Sequence, residues 1–249
     1  LHNRSEVESK GVVHFDLNFP VSGAMPDLGR ALGELSKEKG LEELLNYQPT
    51  AGMMKHRYSA AQYLALFGVT ALPENIVITT GAQHAIFSAL ASKLSPGDLL
   101  GVDEFTYPGL INIAARLHIR LVTIAADKDG MIPDELARSS RRHGLKGVYL
   151  LPTMHNPTTR SMSLQRRSEL AEVIRRNDLF LVEDDIYALM EEELLPPISK
   201  ILPERSYYIT NLSKTLAPGL RVGYMTIPQG EMASIERVIA ATTWMNPPL

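Results

Sequence analysis

The sequence predicts an α/β protein built on a mostly parallel, doubly wound sheet with helices on both faces. Short apolar runs alternate regularly with helical patterns from Ile76 onward. One of these runs, residues 179–182, is apolar at every position, which is typical of a strand buried in a parallel sheet. Such alternation favours parallel strands joined by helices. Ligands of these sheets bind beyond the carboxyl ends of the strands, so we expect the functional residues in the loops that follow them.

The composition is that of an ordinary globular chain. Its 249 residues are 45% hydrophobic and 21% charged, which suits one large α/β domain or two small ones. A net charge of -3 gives no basic surface for nucleic acid. The absence of cysteine excludes disulfides and thiolate metal sites. No apolar run approaches the roughly 18 residues of a membrane span, and the start lacks a signal-peptide pattern. We therefore expect a cytoplasmic protein with no membrane segment.

The chain divides into a polar tail or linker end at 1–13 and a folded domain at 14–249. Segment 14–19 is short and β-like, and Pro20 and Gly23 end it. The other predicted strands, rich in apolar and β-branched residues, are 76–79, 99–102, 121–125, 148–151, 179–182, 207–210 and 222–227.

The predicted helices are 28–39, 54–67, 82–94, 110–117, 133–142 and 163–176. Apolar residues at 82, 86, 89/90 and 94 follow the spacing of one helical face. Gly40 and Gly68 are placed to end the first two helices, since glycine is the usual residue after a helix. Pro133 suits a first helical turn, and Ser163 is a good N-cap.

The richest stretch is Asn211-Leu-Ser-Lys-Thr-Leu-Ala-Pro-Gly-Leu-Arg-Val-Gly-Tyr224. Lys214 can form a Schiff base with a carbonyl ligand if burial or a neighbouring cation lowers its pKa. Arg221 can bind a phosphate through its planar guanidinium group. A ligand that is both a carbonyl and a phosphate ester would use both side chains. The alternative is a lysine that merely ends a strand and extends into solvent.

This stretch resembles the lysine loop of fold-type I pyridoxal-phosphate (PLP) enzymes, the aspartate aminotransferase superfamily. Its form is most similar to the branch of aminoadipate and kynurenine aminotransferases and the MocR-type regulators of the GntR family. The resemblance implies that PLP is the cofactor, that Lys214 is the catalytic residue holding it as a Schiff base, that Ser213 belongs to the site, and that Arg221 contacts the phosphate. Asn211 departs from the serine or threonine that many members place against the phosphate, but its amide can still donate a hydrogen bond.

Gly81-Ala-Gln-His84 lies between a predicted strand and a predicted helix. The amino end of a helix offers free backbone N–H groups and a partial positive charge, which favour phosphate binding. Most such turns bind nothing, so the motif is weak alone. Family members usually have Gly-Ser/Ala-Gln-Gln here. By that resemblance Gly81, Ala82 and Gln83 surround the phosphate, and Ala82 acts through its backbone.

Two further loops match the family. Tyr107 follows the second strand of the alternating region, where family members stack an aromatic ring on the pyridine; taken alone it would be a packing residue. In His155-Asn-Pro-Thr-Thr159 the resemblance assigns Asn156 to the phenolic oxygen of PLP, with Thr159 in place of the usual glycine. We interpret His155 as a loop or pocket-wall residue. No second ligand is spaced to join it, and we predict no metal site.

The acidic motif Glu183-Asp-Asp-Ile-Tyr187 directly follows the most apolar strand. Carboxylates in this place are costly unless they are exposed or paired. The family places an acid three residues before a tyrosine and against the pyridine nitrogen, which selects Asp184 over Asp185. Tyr187 is then directed at the phenolic oxygen. The alternative is a solvated acidic strand end.

The resemblance also implies a homodimer. Family members send a tyrosine from the loop that here is Tyr47-Gln-Pro-Thr-Ala-Gly52 into the phosphate site of the partner subunit. We therefore expect Tyr47 to complete the partner's site. The ligand expected beside the cofactor is a small amino acid or amine.

Two functions fit this resemblance. One is the PLP-binding effector domain of a MocR-type transcriptional regulator, in which DNA is bound only through an upstream domain outside this chain. The other is a free-standing aminotransferase that moves an amino group between an amino acid and a 2-oxo acid. Either way, we expect the C-terminal small domain with its substrate-carboxylate arginine to be absent from these residues, and the 249 residues alone to be inactive.

Overall fold

The computed structural model describes residues 18, 20 and 28–248. The strands of the described part are β1 (Ile76–Thr79), β2 (Leu99–Asp103), β3 (Arg120–Ile124), β4 (Ala126–Asp127), β5 (Gly130–Met131), β6 (Gly147–Leu150), β7 (Phe180–Asp184), β8 (Ser206–Asn211) and β9 (Gly223–Thr226). Seven of them form one sheet in the order β1-β9-β8-β7-β6-β2-β3. Strand β9 is antiparallel to both β1 and β8, and the other pairs are parallel. Strands β4 and β5 form a separate antiparallel ribbon.

The helices that cover the sheet are α1 (Leu28–Leu35), α2 (Met54–Ala65), α3 (Ala82–Lys93), α4 (Pro108–Arg116), α5 (Pro133–His143), α6 (Leu164–Arg176), α7 (Ile198–Ile201) and α8 (Met232–Thr242). Local chemistry sets several of their ends. Pro133 occupies the first turn of α5, and Gly144 follows that helix with a φ of 71°. The Ser163 side chain accepts a hydrogen bond from the backbone N–H of Arg166 and caps α6.

Apolar side chains fill both faces of the sheet. On one face Ile86, Leu90, Ile113, Ile235 and Ile239 from α3, α4 and α8 pack with buried sheet residues. On the other face the side chains that meet the sheet are Leu136, Leu170, Ile174 and Ile198 from α5, α6 and α7. A smaller cluster places α2 against the β1 edge of the sheet. All five residues of β7 are buried, because β7 is central and covered on both sides.

The predicted fold class is confirmed, and each strand predicted between 76 and 227 is present within two residues. Several elements differ. Helix α1 ends at Leu35, four residues earlier than predicted, and Gly40 instead precedes a 3₁₀ turn. Helices α7 and α8 and the β4–β5 ribbon were not predicted; α7 and the ribbon strands are only a few residues long. Strand β9 is antiparallel to both of its neighbours, and the alternation of strands and helices in the sequence does not predict this direction. Of the predicted strand at 14–19, only Asn18 is described, and it has no regular structure; the tail at 1–13 lies outside the described residues.

A buried polar network lies behind β7. Arg167 is 1% exposed, and its guanidinium group donates to the backbone carbonyls of Met162, Pro152 and Pro196. Its charge lowers the pKa of both Glu183 and Asp185, although burial has the larger effect and raises each of these pKa values. One buried cation thus offsets part of the cost of two buried acids.

We expect Arg167→Met to lower the free energy of unfolding by about 3–5 kcal/mol, because it leaves buried carboxyl groups and carbonyls without their partner. Chemical denaturation at pH 7 measures the change. The control is Arg176→Met, one helical turn or more away on α6, where the side chain is 74% exposed and pairs with Glu172. Equal effects of the two substitutions would contradict this account of the network.

Candidate functional site

A cavity of about 570 Å³ lies at the carboxyl edge of the parallel strands. Its walls come from the loops after β1, β2, β6, β7 and β8, because parallel strands bring these loops to one edge. The predicted residues that line it are Ala82, Gln83, Tyr107, Asn156, Asp184, Tyr187, Ser213, Lys214 and Arg221. Gly81 lies directly beside it, and Tyr47 does not line it.

The cationic side of the cavity is built from Gly81, Ala82 and Arg221. Gly81 has a φ of 79°, a conformation that favours glycine, and a Cβ there would lie 2.6 Å from Nη2 of Arg221. Arg221 itself has a φ of 52°, in the left-handed region, and its Nη2 donates to the carbonyl of Thr80 at 3.4 Å. Ala82 begins α3, so the free N–H groups of that helix face the same space as the guanidinium group.

Lys214 is partly buried at the end of β8. Its Nζ donates to the backbone carbonyl of Asn18 at 2.7 Å and lies 5.8 Å from the centre of the Tyr187 ring. Burial lowers the pKa of Lys214, and the nearby charge of Asp184 opposes that shift. A lysine that merely extends into solvent does not match this environment. A lowered pKa increases the fraction of neutral amine, the form that attacks a carbonyl.

Asp184 is buried, at 1% exposure, at the last position of β7. Its Oδ2 accepts a hydrogen bond from the hydroxyl of Tyr149 at 2.7 Å, while its Oδ1 has no partner. Burial raises the pKa of Asp184 to about 7, the Tyr149 bond acts in the opposite direction, and the charge of Asp185 raises it further. A buried oxygen without a partner is costly, so this atom is available for a donor from a ligand.

The neighbouring acids point away from the cavity. Asp185 accepts from the hydroxyl of Tyr208 at 3.1 Å, and Glu183 accepts from the backbone N–H groups of Ile198 and Ser199. Side chains alternate along an extended strand, so Asp184 alone of the three reaches the cavity. All three acids are buried. The alternative of a solvated acidic strand end is therefore wrong.

The remaining predicted residues occupy the walls. The ring of Tyr107 packs against Gly109, where a Cβ would meet ring atoms at 2.3 Å. The hydroxyl of Tyr187 accepts from Nδ2 of Asn18 at 2.8 Å. Asn156 lies in the loop after β6, where Thr159 has a φ of 59°. That left-handed conformation explains physically why glycine suits the position of Thr159.

His155 lies in this loop but does not line the cavity. Its Nδ1 is 2.8 Å from the hydroxyl of Thr158, and its Nε2 is 3.7 Å from Oδ2 of Asp103. Burial raises the pKa of Asp103 to about 7 and lowers that of His155. Within the described part of the chain, no group of three or more His, Cys, Asp or Glu side chains is placed to hold a metal ion.

The cavity also contains residues that the sequence did not suggest. Asn18, Asn112, Ile86, Leu151, Ile186 and Pro218 line it. Leu151 ends a predicted strand and Ile186 follows another, so both could have been found by position. Asn18 could not, because it meets Lys214 across 196 positions of sequence. Asn211 lines the cavity as well, and its Oδ1 accepts from the backbone N–H of Ser213, which leaves the amide Nδ2 free to donate.

Tyr47 lies on the surface. It is 85% exposed and contacts Trp244 edge-on with ring centres 6.3 Å apart. Around it, a second cavity is lined mainly by apolar residues, namely Leu44, Leu45, Trp244, Met245, Pro247 and Pro248. Within a single chain Tyr47 therefore does not contribute to the main cavity.

The site has a cationic part for an anionic group, an amine for a carbonyl and a buried acid for a protonated nitrogen. This combination, at the carboxyl edge of a doubly wound sheet, defines α/β proteins that hold a phosphorylated heterocyclic cofactor. The family model for class I and II aminotransferases matches residues 15–248. The chain therefore belongs to the class I and II aminotransferase family.

Relatives include both regulators and enzymes. The chain is 33% identical over 208 residues to YdeF of Bacillus subtilis, named as an uncharacterized HTH-type transcriptional regulator; the match covers 84% of this chain and 45% of YdeF. It is 29% identical over 222 residues to the 2-aminoadipate transaminase of Thermus thermophilus, with 86% of this chain and 54% of the enzyme covered. The chain thus spans about half the length of the curated relatives it matches.

Solved structures agree with the fold. The α-aminoadipate aminotransferase LysN from Thermus thermophilus, complexed with N-(5'-phosphopyridoxyl)-L-leucine, has a TM-score of 0.86 at 27% identity, covering 99% of this chain and 64% of LysN. The kynurenine aminotransferase of Pyrococcus horikoshii has a TM-score of 0.87 at 26% identity, covering 98% and 63%. The cofactor that this family and its ligand-bound structures imply is pyridoxal phosphate.

The residues of this chain fit that cofactor. Asp184 Oδ1 and Ser213 Oγ are buried atoms in the cavity wall that have no hydrogen-bond partner. Gly81 has no side chain to fill the space in front of Arg221. A protonated ring nitrogen would satisfy the acid, and a phosphate would satisfy the arginine and the amino end of α3. No helix in the described part is long and apolar enough to cross a membrane.

The substitution Asp184→Asn tests how much the burial of this carboxyl group costs in free energy of unfolding. The raised pKa means that the folded state favours the protonated acid, whereas the unfolded chain ionises near 3.8. The stabilising contribution is therefore complete below that value and lost as pH rises through about 7. We expect Asp184→Asn to stabilise the cofactor-free protein relative to wild type at pH 8 but not at pH 4, as measured by urea unfolding.

Asp134→Asn is the control for this prediction. Asp134 is exposed in the first turn of α5, where a helix favours negative charge, so its loss should slightly destabilise at pH 8. A stabilisation by Asp184→Asn that is the same at both pH values would show that ionisation of Asp184 is not its cause.

Proposed function

We propose that this chain binds pyridoxal phosphate in the cavity and holds it covalently through Lys214. The observation that carries the proposal is the meeting of Lys214, Arg221 and the unpartnered carboxyl oxygen of Asp184 in one cavity. Five separate loops supply the other residues in the order that the family uses. The lowered pKa of Lys214, caused by burial, supports the role of its amine.

When bound, the cofactor supplies an electron sink for bond cleavage at an amino acid's α-carbon. Asp184 keeps the ring nitrogen protonated, which its buried position and free Oδ1 favour. Arg221 and the start of α3 hold the phosphate, and Tyr107 packs on the ring. The Lys214 amine would be the group that moves a proton to or from the substrate carbon. Asn156 and Tyr187 hold the phenolic oxygen by hydrogen bonds.

For the whole protein we propose the effector domain of a MocR-type regulator whose ligand is an amino acid or amine. The relatives named as HTH-type regulators support this: YdeF at 33% identity, and YdfD and YdcR at 29% and 28%. DNA would be bound through a domain outside this chain. The alternative is a free-standing aminotransferase, which the 29% identity to 2-aminoadipate transaminase supports. The two differ upstream of Leu1, where a regulator encodes a basic winged-helix segment.

Sequencing the complete reading frame, followed by one assay, separates the two functions. A regulator would bind its promoter DNA in a way that PLP and an amino acid change, without sustained turnover. An aminotransferase would convert the cofactor to its amino form and regenerate it with a 2-oxo acid over many cycles. The second result would contradict the regulator proposal but not the cofactor site.

We further propose a homodimer in which Tyr47 completes the partner's site. Tyr47 is highly exposed, lies outside its own cavity and is surrounded by exposed apolar side chains that include Leu45 and Trp244. An apolar surface of this kind is typical of an interface between subunits. Tyr47 is then free to reach a phosphate that it cannot reach within its own chain.

The first test of the covalent site is Lys214→Ala. Incubation with PLP followed by borohydride reduction should give a stable adduct on wild-type protein, and peptide mass spectrometry should locate it at Lys214. The variant should give none, because alanine has no amine. Lys200→Ala, at an exposed lysine of α7, should keep the adduct. A reducible adduct of equal yield at another lysine of the Lys214→Ala protein would contradict the assignment.

The second test uses mixed dimers. One subunit carries Tyr47→Ala, and the other carries Lys214→Ala. If Tyr47 acts across the interface, the mixed dimer has one intact site and one doubly defective site. We expect half of the wild-type amount of tightly bound PLP in the mixed dimer, measured by titration, while each parent homodimer binds weakly. Weak binding in the mixed dimer too would show that Tyr47 acts within its own subunit, and tight binding by the Tyr47→Ala homodimer would show that it does not act at all.

A further inference from the structure

His84 holds the loop that enters α3 from the side opposite the cavity. The backbone N–H of Thr80 donates to Nδ1 of His84 at 3.3 Å. Nε2 of the same ring lies 2.9 Å from the hydroxyl of Thr242 at the end of α8. His84 does not line the cavity, so it can act on a ligand only through the loop.

These contacts fix the protonation state of the ring. A backbone N–H can only donate, so Nδ1 of His84 must be the acceptor and the proton must be on Nε2. Nε2 then donates to the hydroxyl of Thr242, whose own proton goes to the carbonyl of Val238 at 3.0 Å. Burial lowers the pKa of His84, which favours the same neutral ring.

A second bond joins the same two parts of the chain. The hydroxyl of Thr80 donates to Oδ1 of Asn246 at 2.7 Å. On the cavity side, Arg221 donates to the carbonyl of Thr80. Thr80 is therefore held on one side by His84 and by Asn246, which follows α8, and on the other side by the predicted phosphate-binding arginine.

We propose that His84 is a positioning residue for the phosphate-binding loop. As a neutral acceptor it fixes Thr80, and through Thr80 it sets the direction of the free N–H groups at the start of α3. The inference rests on the proposed function, because the phosphate in question is that of the cofactor. It also links the site to α8, since the ring contacts the loop and the helix end at once.

The hydrogen-bond pattern decides which substitutions should preserve the role. Glutamine carries an acceptor and a donor, so it can take the bond from Thr80 and give one to Thr242. Leucine can do neither and leaves the N–H of Thr80 without its partner. Protonated histidine has two donors, so it cannot accept from Thr80.

The charges near the ring bear on its protonation. From α8 the ring meets the uncharged Thr242, with Asn246 bonded to the neighbouring Thr80. Arg221 reaches the Thr80 carbonyl from the β9 side of the loop. Lys93 and Glu231 pair with each other at the far end of α3.

The experiment measures dissociation constants of PLP and of pyridoxal, which lacks the phosphate, for the full-length protein. We expect His84→Leu to weaken PLP binding by about tenfold, because a partly buried backbone donor loses its acceptor, and to leave pyridoxal binding unchanged. His84→Gln should bind both ligands as the wild type does. His143→Gln, at an exposed histidine at the end of α5, is the matched control.

Measuring the PLP dissociation constant at several pH values adds a second test, because a residue that only packs would cause no dependence on pH. With the lowered pKa of His84, the neutral ring is complete above about pH 6.5 and lost as pH falls through the lower, folded-state value. The ratio of the wild-type to the His84→Gln dissociation constant for PLP should therefore rise only in acid. This ratio cancels the titration of the phosphate itself.

Four results would count against the inference. Equal PLP affinity in His84→Leu and wild type would overturn it, as would His84→Gln being as weak as His84→Leu. A flat ratio across the pH series would also overturn it. Wild-type protein that binds PLP no better than pyridoxal would instead overturn the proposed function and this inference with it. If His84→Leu does not fold, Thr242→Val carries the test: it keeps the imidazole ring but removes the hydroxyl that holds it to α8, and it should also weaken PLP binding selectively.

Discussion

The burial of three consecutive acids at the end of β7 is the constraint on which the site depends. Glu183 and Asp184 end the central strand and Asp185 directly follows it, and all three are buried where water cannot solvate their charge. Strand alternation sends the middle acid to one face and its neighbours to the other. Backbone N–H groups satisfy Glu183, whereas Asp185 accepts from Tyr208, lies near the charge of Arg167 and keeps its own Oδ1 without a partner outside the cavity. Asp184 receives one hydroxyl and keeps one oxygen free at the cavity wall, where a ligand can donate to it.

The sheet brings Asp184 together with the other residues of the cavity. Parallel strands end at one edge, so residues far apart in the chain, such as Tyr107, Asn156 and Lys214, reach one cavity without a special contact between their loops. The antiparallel strand β9 is equally important. It returns the chain from the lysine loop beside β1 and thereby places Arg221 against Gly81 at the start of α3. The lysine and the arginine are separated by only seven positions, yet in the proposed site they bind different ends of the same ligand.

Much of this arrangement could be predicted from the sequence, because it depends on order along the chain. Each loop residue follows a strand whose apolar pattern is strong, and the edge where the loops meet follows from parallel pairing. The misses share a different cause. Asn18 contacts Lys214, and Thr242 contacts His84, through hydrogen bonds between segments whose distance in sequence exceeds 150 residues. No local pattern encodes such a pair. Helix α8 differs from these pairs, because Ile235 and Ile239 lie one helical turn apart and do give a local signal.

Contacts within a single chain do not explain the surface position of Tyr47. Its exposure would be unfavourable for an aromatic ring in an isolated domain, and the apolar side chains around it increase that cost. A second subunit would cover this surface and bring the tyrosine to a site that already has its other residues. Assembly and cofactor binding would then be coupled, since a ligand bound across two subunits stabilises the assembly by mass action. The free oxygen of Asp184 supports the same coupling. Without its ligand the protein retains a buried acid that lacks a hydrogen-bond donor, and binding of the ligand would remove that cost.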